Sequence, residues 1–406
     1  MNFKHTFLSI LFFVSIILFS CGNKIIVCAS SSVDVAFFAE QFNAVQNKEK
    51  ILFLYFDDTR ESLNLDQIPD IIIDHNIIDI HGRINLKDLS STLGNKKRYY
   101  KGLLNCGKIH NRQRFVPLSF NLPILSYKHT QGNNEYPPFL DLHEIEKYAS
   151  PLNQATRYEY KSIGFSPFWD LEALYMAYRL LGLQFSTKNE LFSFPQEILT
   201  QSHEKVQKWL EKLVPDLLME EFFRDKYRNT SGDRLIQEEL VRFFFYTTNS
   251  YFKTTPQVQK ENLFSWLSLQ NQVLAIEDFL YAAIPNNANN SRGAKKFLKW
   301  LLSEKTQKFL IDKKIEIGYE SFGLCDGFSP LKAVNEKKLS SLYPAFALSP
   351  IPKEEQIIFP KSMPIGYPQA KKQVIEPWLY KNLLGTNEMD LGFEINRWVN
   401  QQILYH

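Results

Sequence analysis

The chain has 406 residues, 44% hydrophobic and 22% charged, the proportions of ordinary globular material and not of a disordered or fibrous chain. Its length exceeds the size at which one hydrophobic core stops growing, so two lobes or domains are expected. The formal net charge is only +3, and the longest basic run, Lys96-Lys97-Arg98, is too short for a nucleic-acid surface, so no nucleic-acid partner is expected.

At the N-terminus, Lys4 and His5 form a short basic start with no acidic residue, and residues 7–18 are almost wholly apolar. About a dozen residues at ~1.5 Å rise span roughly 18 Å, too little for a hydrocarbon core of about 30 Å, which fits the h-region of a signal peptide. Ser20-Cys21-Gly22 follows. A small residue before a cleavage point with a cysteine directly after it resembles the lipobox of bacterial lipoproteins, although Phe19 is bulkier than most lipoboxes carry. That resemblance implies that residues 1–20 are removed and that the Cys21 thiol carries a diacylglyceryl group, with a further acyl chain such as palmitate on the new amino terminus. The mature protein would then be tethered to a bacterial membrane, facing the periplasm or the exterior. An ordinary signal peptide, or a membrane anchor with a chance cysteine, is the competing reading of the same residues.

Beyond the tether, residues 24–29 form a short β-branched apolar run, read as a buried strand, with Ser30, Ser31, Ser32 and Asp34 as turn and helix-cap chemistry. Val35, Phe38, Ala39 and Phe42 have near-helical spacing over residues 33–44. Residues 51–56 are a second buried strand, completing a βαβ unit and implying a parallel sheet with a right-handed crossover. Residues 69–74 give a third strand with polar residues at its C-terminal end. Residues 115–127 are extended and carry Pro117 and Pro123, which exclude a helix and indicate an edge strand or a crossing between lobes.

An amphipathic helix is predicted over residues 170–181, capped by Asp170, striped by Leu171, Leu174, Tyr175, Tyr178 and Leu181, and stopped by Gly182. A polar, helical middle runs from about residue 195 to 242, and residues 243–246 read as a strand ending in Thr247-Thr248-Asn249. Residues 273–276 and 279–284 are further strands. An Asn-rich loop over residues 285–291 then leads into one helix over residues 293–311. The last 60 residues, rich in Pro and aromatics, show no clear period. With Cys21 assigned to lipid, Cys28, Cys106 and Cys325 remain, an odd number whose spacing selects no disulfide pair. The aromatic fraction of 14% is high; much of it must be core, and a surplus could line a ligand cleft.

In this order the segments resemble the extracellular solute-binding proteins of ABC transporters, of the large carbohydrate-binding type. Ala282-Ala283-Ile284-Pro285, the Asn-rich turn and Ala294 through the Leu302-Ser303-x-x-x-Gln307 ending are similar to that family's characteristic helix. Residues 323–330 resemble the return that follows it. Residues 116–128 are similar to the strand crossing between lobes, and Pro69-Asp70 with its apolar run to an early strand. The family's Gly-x-x-Ala-Met signature is missing, and residues 245–252 stand in its place. The resemblance implies an α/β, two-lobe periplasmic-binding-protein-like fold with a ligand cleft and hinge between lobes. Residues 21–119 plus 273–320 would make the first lobe, and residues 120–272 plus 321–406 a helix-rich second lobe.

Carried over by position, ligand contacts would lie on loops after strand carboxyl ends. These are Ser31 and Ser32 after the first strand, and Asp74, His75 and Asn76 after the third. Ser119 and Asn121 would stand at the crossing, with Thr248 and Asn249 in the second lobe and Phe168, Trp169 and Trp266 as ring platforms. The implied function is capture of a small-molecule ligand, a sugar or oligosaccharide, by closure of two lobes, and its delivery to an ABC transporter permease by a monomer lacking cofactor, metal or catalytic residues. Several of these residues also have a bland role: the serines after the first strand as turn and cap residues, Asp74 and Asn76 as caps, Trp169 and Trp266 as core. A surface adhesin or structural lipoprotein without a ligand would carry the same signal.

Two other chemistries are readable. Asp74, His75, Asp79 and His81 contain metal-ligating types, but in the spacing of no recognised closed site. Gly323-Leu324-Cys325-Asp326-Gly327 matches the Gly-x-nucleophile-x-Gly elbow of hydrolases, yet Pro330 follows closely and His406 is the sole downstream histidine.

Overall fold

The computed structural model describes residues 24–75, 77–129, 136–188, 191–361, 364, 366–387 and 389–404. The signal segment, the proposed acylation site Cys21 and the candidate Asn76 lie outside the described residues.

Strand β1 (Lys24–Ser30) begins with two exposed residues and is then buried throughout, as befits a central parallel strand covered on both faces. It leads through helix α1 (Val33–Val45) to β2 (Glu49–Tyr55), paired in parallel so that Ile26 stands beside Ile51 and Ser30 beside Tyr55. Strand β3 (Ile71–Asp74) lies parallel on the other side of β1. Asp70 locks this start: one carboxylate oxygen accepts from the Val27 amide at 2.9 Å and the other from the Asn290 amide at 2.6 Å. Strand β4 (Val116–Ser119) carries Pro117 at the sheet's edge, where a missing N–H costs little.

From β4 the chain crosses at residues 120–122 into β5 (Pro123–Lys128), an interior strand of a second sheet. Strand β6 (Phe139–Leu140), α2 (Leu142–Ala149), α3 (Leu171–Leu180), α4 (Gln196–Leu213) and α5 (Leu217–Tyr227) follow. Strands β7 (Phe244–Thr247) and β8 (Asn262–Leu267) flank β5 in antiparallel register, giving the order β7-β5-β8-β6. The chain then returns. Strand β9 (Val273–Leu274) leads to β10 (Leu280–Ala283), which inserts antiparallel between β3 and β4, so the first sheet reads β2-β1-β3-β10-β4.

The predicted single helix over residues 293–311 is two helices, α6 (Ser291–Leu301) and α7 (Glu304–Glu316), broken where Ser303 takes an extended conformation at ψ 129°. The apolar stripe runs across this corner because both helices bury their inner faces, which is why periodicity alone does not reveal the break. Strand β11 (Ile357–Ile358) pairs in parallel with β9. Residues 367–375, α8 (Glu376–Leu383) and α9 (Leu391–Leu404) complete the chain.

Two cores result. One holds Ile26, Phe38, Phe42, Ile73, Phe297 and Leu298 about the first sheet. The other holds Leu125, Leu174, Tyr178, Val206, Leu210 and Leu379 about the second. The first core also runs past the crossing through Ile124, Phe252, Phe264 and Trp266 to Phe322, Phe328 and Phe346. Residues 322–346, assigned from sequence to the second lobe, thus supply this aromatic wall; the Phe252 and Phe322 rings stack at 4.4 Å. Cys28, Cys106 and Cys325 are buried free thiols. Among the described residues, no helix is long and apolar enough to cross a membrane.

Candidate ligand cleft

Three segments meet where the lobes join: the crossing at Asn121, the return at residues 276–278, and residues 368–376 leading into α8. With Asp170 at the start of α3 and Thr247, Asn249 and Ser250 at the end of β7 and just beyond it, they enclose a polar recess of about 380 Å³. This sits within the range of roughly 300–1,000 Å³ typical of small-ligand sites.

Asn121 is held on both ends of its amide: Nδ2 donates to the Asp326 carbonyl at 3.1 Å, and Oδ1 accepts from Thr248 Oγ at 2.8 Å. Thr248, fully buried, also accepts from the Leu122 amide, and Ser119 donates to the Cys325 carbonyl at 3.1 Å. Ser119 and Thr248 are therefore hinge fasteners in this conformation, whereas Asn121 and Asn249 line the recess.

On the first-lobe side, Ser31 Oγ donates to Asp74 at 2.7 Å, and the same oxygen accepts the His75 amide. Ser32 is half-buried, its amide donating to Ser30 Oγ. His75 Nδ1 stands 3.0 Å from Asp278, a lining residue of the recess. Burial opposes the imidazolium, but the Asp278 carboxylate outweighs it and raises His75 to about 9. Burial likewise raises Asp278, yet the facing imidazolium brings it down to about 2. The pair is charged at neutral pH and fixes Asp278 at the mouth of the return segment.

The ring platforms expected from sequence do not line the recess. Trp266 is fully buried, its indole N–H donating to the Pro350 carbonyl at 2.9 Å. Phe168 is buried against Tyr380. Trp169 is half-buried between Phe223 and Phe244, next to Asp170. Flat rings come instead from the segment that showed no period: Trp378 and Trp398 line a neighbouring depression of about 580 Å³ that shares Gln373 with the recess. Trp398 donates to Gln373 Oε1 at 2.7 Å.

Sequence reasoning also missed Asp170, Glu277, Asp278, Gln369 and Lys371–Gln373. Glu277-Asp278 stood in view as the charged break between two apolar runs, and that was a readable signal. Beneath the recess, Glu277 is paired with buried Arg179 and accepts from Tyr175 (2.7 Å) and Tyr367 (3.0 Å). This network fastens the return segment to α3 and to residue 367.

The two remaining chemistries fare differently. Asp74 and His75 are committed to Ser31 and Asp278, and the side chains of Asp79 and His81 lie outside the description. Cys325 is 1% exposed, neither follows a strand nor opens a helix, and burial pushes its thiol well above the usual range. The elbow reading fails on all three counts.

Two α/β lobes, crossed repeatedly by the chain and separated by a polar recess, constitute a periplasmic-binding-protein-like fold. The maltose-binding periplasmic protein of Listeria monocytogenes, solved with maltose, superposes with a TM-score of 0.66 at 14% identity, covering 93% of this chain and 98% of that one. An ABC substrate-binding protein of the same organism, solved with cycloalternan, gives 0.60 at 13% identity over 94% and 99%. The GacH receptor of Streptomyces glaucescens, studied with acarbose, gives 0.61 at 10% identity over 93% and 97%. At these identities the likeness is one of fold. No family model matches the chain, and no curated protein matches it in sequence.

Proposed function

We propose that this protein is the lipid-anchored solute-binding component of an ABC importer and captures a sugar or oligosaccharide between its lobes. The observation that carries the reading is the recess itself, where Asn121, Asn249, Asp170 and Asp278 converge from both lobes and the hinge. Such planar donors and acceptors suit sugar hydroxyls, and the Trp378 and Trp398 rings beside them suit the C–H faces of a second sugar unit. Contacts made from both lobes favour a closed state over an open one by their differential affinity, which is how capture drives closure. The solved proteins of this fold, with maltose, cycloalternan and acarbose, support a carbohydrate over other solutes.

A thermal-shift screen of mono-, di- and oligosaccharides, amino acids, peptides and metal ions tests it. One sugar class should raise the melting point, by about 2.7 kcal/mol of stabilisation at a hundredfold excess over Kd. Asn249→Ala and Trp398→Ala should each weaken that sugar by about tenfold in calorimetry, the equivalent of ~1.4 kcal/mol. A screen in which sugars are silent overturns the reading. Anchoring is tested separately: radiolabelled palmitate should enter the wild-type chain in cells and not the Cys21→Ser variant.

A further inference from the structure

Where the described chain begins, at Lys24, lies a shallow basin of about 1,020 Å³ at the N-terminal ends of β1 and β2. Lys24, Lys48, Arg292, Lys295, Lys296 and Lys299 line it, against one carboxylate, Glu49, which Lys296 pairs at 2.8 Å. Six cations against one carboxylate give the basin a local excess of positive charge, in a chain whose net charge is only +3. Four of these cations recur at i, i+3, i+4 and i+7 along α6, giving the helix one basic face while Ala294, Phe297, Leu298 and Leu301 fill the core. Ile25, next to Lys24 in β1, and Val45, at the end of α1, are exposed apolar side chains, 54% and 57% exposed.

Cys21 precedes Lys24 by three residues, a reach of at most roughly 10 Å of extended chain. An acyl group there would keep this end of the body near the lipid headgroups. We propose that the basic basin docks on an anionic lipid surface and acts as a second membrane signal beside the acylated cysteine. The proposal rests on the anchored reading above. Lipid alone tethers, whereas lipid plus a polybasic face also orients the body. The orientation is specific. The recess lies beyond the C-terminal ends of the same strands, and seven residues of β1 at about 3.3 Å each separate the two faces by roughly 20 Å. The docked protein therefore presents its cleft away from the bilayer, toward incoming solute. Because the attraction is between exposed charges, it decays over about 10 Å at 0.1 M salt, so the body can lift off and turn without losing its tether.

The test uses the unacylated chain from residue 21 carrying Cys21→Ser, which retains every described residue. It is sedimented with vesicles of phosphatidylcholine containing phosphatidylglycerol, and with phosphatidylcholine alone. Binding to the anionic vesicles should fall steeply as salt rises and be absent from the neutral ones. Lys295→Glu/Lys296→Glu/Lys299→Glu should weaken it at least about tenfold, while the same change at Lys205, Lys208 and Lys212 on α4 leaves it intact; melting curves confirm that both variants fold. No binding to anionic vesicles, equal binding to neutral ones, or equal loss in both variants overturns the proposal. So does displacement by inorganic phosphate at matched ionic strength, which would mark a small-anion pocket. Since no acyl group is present, failure here leaves the palmitate experiment on Cys21 to decide the anchor by itself.

Discussion

Lys371 sits almost wholly inside the protein beneath the recess, its ammonium 2.5 Å from Glu172, 3.9 Å from Glu376 and 4.6 Å from the centre of the Tyr175 ring. One cation cannot hold two buried carboxylates ionised cheaply. Burial, reinforced by the Glu172 carboxylate, pushes Glu376 up to about 8 from an ordinary 4.5. A folded-state pKa above the unfolded one gives stability that is full below about 4.5 and lost as pH rises toward 8. Glu376→Gln should therefore flatten the melting profile between about pH 5 and 8 and gain on the order of 1–2 kcal/mol above it. His75 follows the same sign in a higher window, losing its contribution between 6.5 and about 9 as the imidazolium facing Asp278 is neutralised. In thermal melts, what remains of the decline in the Glu376→Gln variant should shrink further between about pH 6.5 and 9 in the double variant with His75→Gln. At this scale, Asn121 and Asn249 were legible because a polar residue after an apolar run marks a strand end. Lys371 and Gln373 were not, because they reach the recess from a segment whose neighbours in sequence say nothing about it.

Among the elements, the strands and helices with a clean period were readable: β1, α1, β2 and β3 stand within a residue or two of their expected bounds. Asp170 caps α3 as anticipated, accepting from the Glu172 amide at 2.9 Å. The break between α6 and α7 and the whole arrangement of residues 367–404 were hidden, since both depend on contacts with elements far away in sequence. The return segment shows the energetic weight of such contacts. Arg179 and Glu277 are each 5% exposed at the side chain, so truncating one strands the other as a buried charge. Arg179→Met should cost about 3–5 kcal/mol in urea denaturation, more than any exposed pair in the molecule. Adding Glu277→Met should restore much of the loss.

For the molecule as a whole, the two lobes have separate sheets but not separate interiors. The first core passes through the aromatic wall of Phe252, Phe264, Trp266, Phe322 and Phe346 and abuts the second sheet directly. Tryptophan fluorescence draws on both halves, from Trp300 in the first and Trp266 in the shared wall to Trp169, Trp209 and Trp378 in the second. Its denaturation curve should coincide with that of far-ultraviolet circular dichroism in a single transition. Two resolved transitions would show that the lobes melt independently and that the wall couples them weakly. The two-lobe plan was legible from length, the βαβ start and the proline-bracketed crossing. The extent of the shared interior was not, because it depends on ring contacts between residues far apart in sequence, such as Phe252 with Phe322.

The placement of β10 has a consequence in time. Residues 280–283 lie between β3 and β4, so the sheet whose other strands all lie before residue 120 stays incomplete until a strand from far along the chain arrives. Contacts of such long sequence separation form late and slowly. Until residues 280–283 are available, the gap between β3 and β4 stays unfilled, and the leading portion of the chain cannot close its sheet. The last strand to reach the first sheet thus acts as a timer on folding, set by topology and independent of any ligand.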